Sequence, residues 1–114
     1  MKIGCDIIKV ERIENILKQK ERIFTKAEID YCEKFSTPNL HYAGIFSAKE
    51  AIIKALDIDS SFKFKYNEIE IGHKESGRPT VKFLRNAEEL FKNVRIDVSI
   101  SNEKEFAMAT AICF

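Results

Sequence analysis

The stretch Phe46-Ser47-Ala48-Lys49-Glu50-Ala51-Ile52-Ile53-Lys54-Ala55-Leu56 decides the fold of this chain. It closes a run from Leu40 to Leu56 with no proline and one glycine, which predicts a long helix. The apolar positions of the stretch form one stripe that contains small residues, so the helix can lie close against a sheet. The members of this stripe are Ala48, Ala51, Ile52, Ala55 and Leu56. Glu50, Lys54 and Asp57 share another face, at the edge of this packing surface.

Upstream of this central helix, residues 2–8 form a mostly apolar segment that predicts a strand carrying one carboxylate, Asp6. A short helix is expected to follow closely, because apolar residues recur at helical spacing. These residues are Val10, Ile13, Ile16 and Leu17. Thr25 and Glu28 have the spacing of a capping box, which predicts a second short helix to about Lys34.

Downstream, residues 68–73 and 80–84 alternate in polarity around a glycine-containing loop, which predicts a β-hairpin. A short helix follows, then a strand from Ile96 with one polar face, and a polar turn at residues 102–105. The final run, 106–114, is apolar on both faces, so we expect the core or another subunit to bury both. The fold class is therefore α+β: one domain, 1–114, with an antiparallel-rich sheet packed on a long central helix and shorter helices.

Composition excludes several classes of protein. The net charge of +1 gives no global attraction to nucleic acid or to a membrane surface. The longest apolar run is too short to span a bilayer and the N-terminus resembles no signal peptide, so we expect a cytoplasmic protein. Cys5, Cys32 and Cys113 are odd in number and widely spaced, which argues against disulfides and a zinc site. All three are interpreted as small core residues.

The candidate chemistry rests on carboxylates. The glycines permit neither a P-loop nor a dinucleotide fingerprint, and the two histidines are isolated. If the central helix crosses the first strand, Asp6 and Glu50 can share one Mg²⁺, with Lys49 and Lys54 near phosphate oxygens. Two other interpretations stay open. Glu50 and Lys54 have the spacing of an ordinary surface ion pair, and Asp6 can cap the helix that follows it.

Five segments, in this order, are similar to those of a known family. They are Ile3–Ile7 continued by Val10–Ile13, Phe24–Ile29, Phe46–Leu56, Gly77–Pro79 and Val98–Ser101. Together they resemble the holo-[acyl-carrier-protein] synthases, the small phosphopantetheinyl transferases, over essentially the whole chain. The resemblance implies the 4′-phosphopantetheinyl transferase fold and transfer of phosphopantetheine from coenzyme A to a serine of apo-acyl carrier protein, as in fatty acid biosynthesis.

The resemblance also implies roles for residues. Asp6, Glu50 and Lys54 are the implied catalytic residues: the two carboxylates bind Mg²⁺, and Lys54 contacts a phosphate or stabilises the leaving group. The base that takes the serine proton is either Glu50 or a metal-bound water. The residues implied to bind coenzyme A are Lys49, Lys54, Gly77, Arg78, Pro79, Ser99, Ser101 and Asn102.

Family members form trimers with sites between subunits, so the resemblance implies a homotrimer in which residues 77–79 and 99–101 come from a neighbour. Arg12 and Arg22 match the surface that docks the carrier protein. A non-catalytic module that binds an acidic partner, and a metal-dependent hydrolase of coenzyme A, are the competing functions.

Two positions depart from the family pattern. Asn102 stands where members usually have His, and Ile45 where many have Arg. Both changes remove positive charge that coenzyme A phosphates would meet. We therefore predict either a weaker affinity for coenzyme A or a compensating basic residue elsewhere, for which Lys63 and Lys65 are candidates.

Overall fold

The computed structural model describes all 114 residues, Met1–Phe114. The strands are β1 (Lys2–Lys9), β2 (Ile69–His73), β3 (Pro79–Phe83), β4 (Ile96–Glu103) and β5 (Phe106–Cys113). The helices are α1 (Ile13–Ile16), α2 (Lys20–Ile23), α3 (Lys26–Glu33), α4 (Pro38–Leu56) and α5 (Arg85–Leu90). Single 3₁₀ turns lie at Val10–Arg12, Leu17–Gln19 and Tyr66–Glu68.

The predicted central helix is confirmed as α4, which begins two residues earlier than Leu40. Pro38 occupies its first turn, where the missing N–H of proline leaves no hydrogen bond unmade. Asp57 ends the helix in a left-handed conformation, with φ of 51°. All five residues of the predicted small-residue stripe are buried.

That stripe packs on a three-stranded antiparallel sheet of order β1-β5-β4. Gly4 is required by the close approach of the two layers. A Cβ at this position would lie 2.6 Å from the backbone nitrogen of Ala55 and would clash with the carbonyl oxygen of Ala51. Side chains two residues apart on a strand share a face. Asp6 therefore points to the same side as Gly4 and lies beside α4.

The other face of this sheet is exposed in the single chain. Ile3 and Ile7 of β1 are 67% and 62% exposed, and Phe106 and Met108 of β5 are also exposed. The last strand was predicted to be buried on both faces by the core or by another subunit. The core buries only one of them, through Ala107, Ala109 and Ala111.

The remaining local predictions hold, with small differences in bounds. The Thr25 amide donates to Glu28 Oε1 (2.8 Å) and the Glu28 amide to Thr25 Oγ1 (3.2 Å), so the capping box opens α3. The β2–β3 hairpin pairs Ile69 with Phe83. β4 continues through the predicted turn at 102–103, because Glu103 still pairs with Phe106.

The interpretation of the cysteines as core residues is right for Cys32 and wrong for Cys5. Cys32 is buried, Cys113 is intermediate and Cys5 is exposed. Alternate residues of a strand face opposite sides, so Cys5 points away from α4 while Gly4 and Asp6 point toward it. None of the helices has the length and apolar character needed to span a membrane.

Candidate active site

The sheet and α4 bring Asp6 into contact with the central helix. Ser47 Oγ of α4 donates a hydrogen bond to the backbone oxygen of Asp6 (3.0 Å). Lys54 Nζ lies 3.5 Å from Asp6 Oδ1 and donates to the carbonyl oxygen of Cys5 (3.0 Å). The Asp6 side chain is only 18% exposed, so this ion pair is partly shielded from water. β1 and α4 are thus joined at one carboxylate.

Glu50 is held by a tyrosine that the sequence did not identify. Tyr66 Oη donates to Glu50 Oε1 at 2.9 Å, and the Tyr66 ring packs on Phe46 with centroids 5.7 Å apart. Burial, the hydrogen bond to Glu50 and the charges of Glu50 and Asp6 raise the pKa of Tyr66 to about 12. The phenol therefore stays protonated and remains a donor at neutral pH.

We call Asp6, Glu50, Lys54 and Tyr66 the two-carboxylate site. Its geometry contradicts both alternative interpretations from the sequence. Lys54 lies 3.5 Å from Asp6 of β1, whereas Glu50 accepts a hydrogen bond from Tyr66. The two helix residues therefore do not pair with each other. The Asp6 side chain makes no capping hydrogen bond to the helical turns that follow β1.

Lys49 does not belong to the site, which corrects its assignment to coenzyme A binding. Its side chain is 0% exposed. Its ammonium donates to Glu28 Oε1 (2.7 Å) and to the carbonyl oxygens of Ile23 (2.6 Å) and Tyr66 (3.0 Å), so all three donors are used inside the protein. Lys49 is a structural residue that ties α4 to α3 and to the segment of Tyr66.

The Glu28–Lys49 ion pair is the buried electrostatic centre of the chain. Burial raises the pKa of Glu28 and lowers that of Lys49, while their mutual attraction opposes both shifts. Glu28 Oε2 also accepts from the backbone amide of Ile71 (2.7 Å), so both of its oxygens have partners. Each charge is therefore tolerated inside the protein because the other is present.

The donor set of the two-carboxylate site suits a hard cation that brings other ligands with it. The chain contains no cluster of three or more His, Cys, Asp or Glu side chains able to hold a metal. Two carboxylates from different elements match Mg²⁺, which typically takes one or two protein carboxylates and completes its shell with water and substrate phosphates. The residues present therefore fit Mg²⁺ together with a phosphate-bearing substrate.

The other predicted coenzyme residues lie elsewhere on the chain. Ser99 and Ser101 alternate with Val98 and Ile100 on β4, so they face the exposed side of the sheet, opposite Asp6. Arg78 Nη2 contacts both oxygens of Asp97, at 2.9 and 3.0 Å. Gly77, Pro79 and Asn102 line a separate cleft. One chain does not bring these residues to the two carboxylates.

The predicted carrier-binding residues are free to meet a partner. Arg12 and Arg22 are exposed, at either end of the α1–α2 segment. Neither guanidinium forms an ion pair within the chain.

Residues 2–111 match the 4′-phosphopantetheinyl transferase superfamily. The holo-[acyl-carrier-protein] synthase of Fusobacterium nucleatum is 39% identical over 120 residues, covering 96% of this chain and 95% of that protein. The holo-[acyl-carrier-protein] synthase of Helicobacter pylori in complex with coenzyme A superimposes with a TM-score of 0.80 at 28% identity, covering 98% of this chain and 99% of that one. The holo-(acyl-carrier-protein) synthase of Bacillus anthracis in complex with coenzyme A (3′,5′-ADP) superimposes with a TM-score of 0.80 at 31% identity, covering 98% of this chain and 94% of that one. These matches include both elements of the two-carboxylate site, β1 and α4.

Proposed function

The chain belongs to the 4′-phosphopantetheinyl transferase superfamily, and we infer from this that it transfers 4′-phosphopantetheine from coenzyme A to a serine of apo-acyl carrier protein. The products are holo-carrier and adenosine 3′,5′-bisphosphate. The observation that carries the residue assignment is that α4 contributes both Glu50, which accepts a hydrogen bond from Tyr66, and Lys54, which lies 3.5 Å from Asp6 of β1. On this proposal the enzyme acts in fatty acid biosynthesis.

The chemistry requires charge neutralisation more than covalent catalysis. The serine oxygen of the carrier attacks the β-phosphorus of coenzyme A, and the bond from that phosphorus to the bridging oxygen breaks. Asp6 and Glu50 would hold Mg²⁺, which supplies positive charge to the pyrophosphate oxygens when bound. Lys54 stabilises the negative charge that grows on the departing phosphate. The serine proton passes to Glu50 or to a water at the site. Tyr66 donates to Glu50 Oε1 and so holds the carboxylate in position.

A second copy of the chain completes the coenzyme site in this proposal. Ser99 and Ser101 face away from Asp6, on the same side of the sheet as Ile3 and Ile7. Burial of this exposed apolar face against neighbouring subunits, in a homotrimer, would bring residues 77–79 and 99–101 of one chain toward the carboxylates of the next. Exposed apolar faces of this kind mark association surfaces.

The trimer has a direct test. Analytical ultracentrifugation of the wild-type chain is expected to give three times the mass of one chain. Ile7→Lys is expected to give the mass of a folded monomer, and this variant should no longer modify the carrier. The reason is that a buried interface does not tolerate an unpaired charge. Ser60→Lys, at an exposed loop position, is the matched control and should remain trimeric. A monomeric wild-type protein with full activity would refute this part of the proposal.

We propose that the carrier protein docks on Arg12 and Arg22. Both guanidinium groups are exposed and lack acidic partners, as electrostatic docking of an acidic helix requires.

We also propose a cytoplasmic location, supported by three free cysteines, one of them exposed, since exposed thiols persist in reducing compartments. Recovery of the protein outside the cytoplasmic fraction of its cell would contradict the location.

Mass spectrometry of the carrier tests the activity. Apo-carrier incubated with the chain, Mg²⁺ and coenzyme A is expected to gain the mass of one phosphopantetheine group. Arg12→Glu and Arg22→Glu should raise the KM for carrier and leave that for coenzyme A unchanged, with Lys92→Glu as the control. A stable complex without a mass gain would indicate the binding module instead. Consumption of coenzyme A without carrier would indicate the hydrolase.

A further inference from the structure

A concave region of the chain lies apart from the two-carboxylate site. It is a cleft of about 180 Å³ whose lining includes Gly77, Pro79 and Asn102, together with His41 and His73. We call it the histidine cleft. None of the four residues of the two-carboxylate site lines it. It is therefore a separate region, built by one chain from residues predicted to contact coenzyme A.

The two imidazole rings in this cleft are held in place by aromatic stacking. The His73 ring lies parallel to Tyr31 with centroids 4.1 Å apart and planes at 4°. The His41 ring stacks on Phe35 at 3.7 Å and meets the edge of Tyr31 at 6.1 Å. Stacking through the ring faces leaves the ring nitrogens, at the edges, available for hydrogen bonds. Side chains that are already ordered lose little freedom when a ligand binds.

The charge around the rings favours an anion. No carboxylate lines the cleft, and the Lys34 ammonium lies over Tyr31, 5.3 Å from its ring centroid. Burial lowers the pKa of His41, and burial, His41 and Lys34 lower that of His73. A bound anion would offset this unfavourable effect on the protonated rings. A cation is disfavoured by Lys34 and by the absence of a third ligand.

Coenzyme A supplies an anion of the right class. It carries a pyrophosphate, which the proposed function assigns to the two-carboxylate site, and one further phosphate on the 3′ oxygen of its ribose. We propose that His41 and His73 bind this 3′-phosphate in the histidine cleft. The inference rests on the proposed function and specifies how the coenzyme is held.

On this proposal the two histidines also compensate for the lack of basic residues at positions 45 and 102. Ile45 and Asn102 both line the histidine cleft, so His41 and His73 lie where the missing positive charges would act. Lys63, one of the two candidates from the sequence, lines a different cleft with Arg85. The proposal therefore assigns the compensating role to the two histidines and not to the lysines.

Calorimetric titration with coenzyme A and with 3′-dephospho-coenzyme A, in the presence of Mg²⁺, tests the proposal. The two ligands differ only in the 3′-phosphate. Wild-type trimer is expected to prefer coenzyme A on the order of tenfold at pH 6, since a hydrogen bond to a charged group contributes at least about that factor to affinity. The double variant His41→Phe with His73→Phe keeps the stacked rings but loses the donors, so its preference should fall toward one. Its affinity for the dephospho ligand should stay unchanged.

The pH dependence has a definite sign. A bound phosphate raises the pKa of both rings above the value in the free protein, so the contribution of the histidines is full at low pH and is lost as pH rises through the raised value. The 3′-phosphate itself gains charge as pH rises, which acts in the opposite direction. The ratio of wild-type to variant preference removes this ligand effect, and it should fall between pH 6 and pH 8.

Lys63→Met and Lys65→Met are the matched controls, and both should keep the wild-type preference. The 3′-phosphate inference is overturned, and the proposed function survives, if the wild type binds both ligands and the trimeric double variant keeps the wild-type preference for coenzyme A. It is equally overturned if a lysine variant loses the preference instead. If wild-type protein binds neither ligand, both the inference and the proposed function fail.

Discussion

Glu50→Gln is expected to lower the rate of carrier modification by at least about 100-fold, because it removes one of two carboxylates proposed to hold Mg²⁺ against the pyrophosphate. Asp6→Asn should have a similar effect. Glutamine keeps the volume of the side chain and can still accept from Tyr66 Oη, so the local packing should survive. The measurement is the initial rate of holo-carrier formation, followed across a titration of Mg²⁺.

Tyr66→Phe provides a graded control for this prediction. It removes the hydrogen bond to Glu50 and keeps the ring against Phe46. Loss of an outer partner of a metal ligand typically costs about 10–100-fold in metal affinity or activity. This variant should therefore need more Mg²⁺ but recover much of its rate when Mg²⁺ is raised, whereas Glu50→Gln should not. Wild-type rates for Glu50→Gln or Asp6→Asn would rule out the assignment of the metal site.

Lys49→Met is expected to reduce the free energy of unfolding by about 3–5 kcal/mol, the range for breaking a buried ion pair by removing one partner. The substitution leaves Glu28 buried with its charge unpaired, and also leaves the carbonyl oxygens of Ile23 and Tyr66 without the ammonium donor. Urea unfolding followed by far-ultraviolet circular dichroism measures the change.

Two further variants separate the buried charge from a general effect of losing lysine. Lys26→Met also breaks a lysine–carboxylate contact of 2.8 Å, with Asp30, but the Lys26 side chain is 87% exposed. It should change the unfolding free energy by less than about 1 kcal/mol. Adding Glu28→Gln to Lys49→Met should recover part of the loss, because the unpaired carboxylate is then gone. Equal effects of Lys49→Met and Lys26→Met would contradict a stabilising buried pair.

Local pattern was sufficient for most of the fold. The run from 40 to 56, the capping box of Thr25 with Glu28 and the hairpin around Gly77 each depend on contacts between residues close in sequence. Such contacts leave a signal in the spacing of residue types along the sequence. The pairing of Asp6 with the central helix was one of two interpretations that the sequence left open, because a carboxylate in an apolar strand needs a partner but could also have capped the helix that follows it.

Sequence patterns thus predicted the helices and strands, and the family resemblance selected Asp6 and Glu50 among several interpretations. Which side chains contact these carboxylates depends on how distant elements pack. Lys49 and Lys54 look equivalent in sequence, but at 3.6 residues per turn they point about 140° apart, so one enters the core and the other reaches Asp6. Tyr66 and the pair His41 with His73 gave no signal at all. Their partners are far away in the chain, and only the packing of separate elements brings them together.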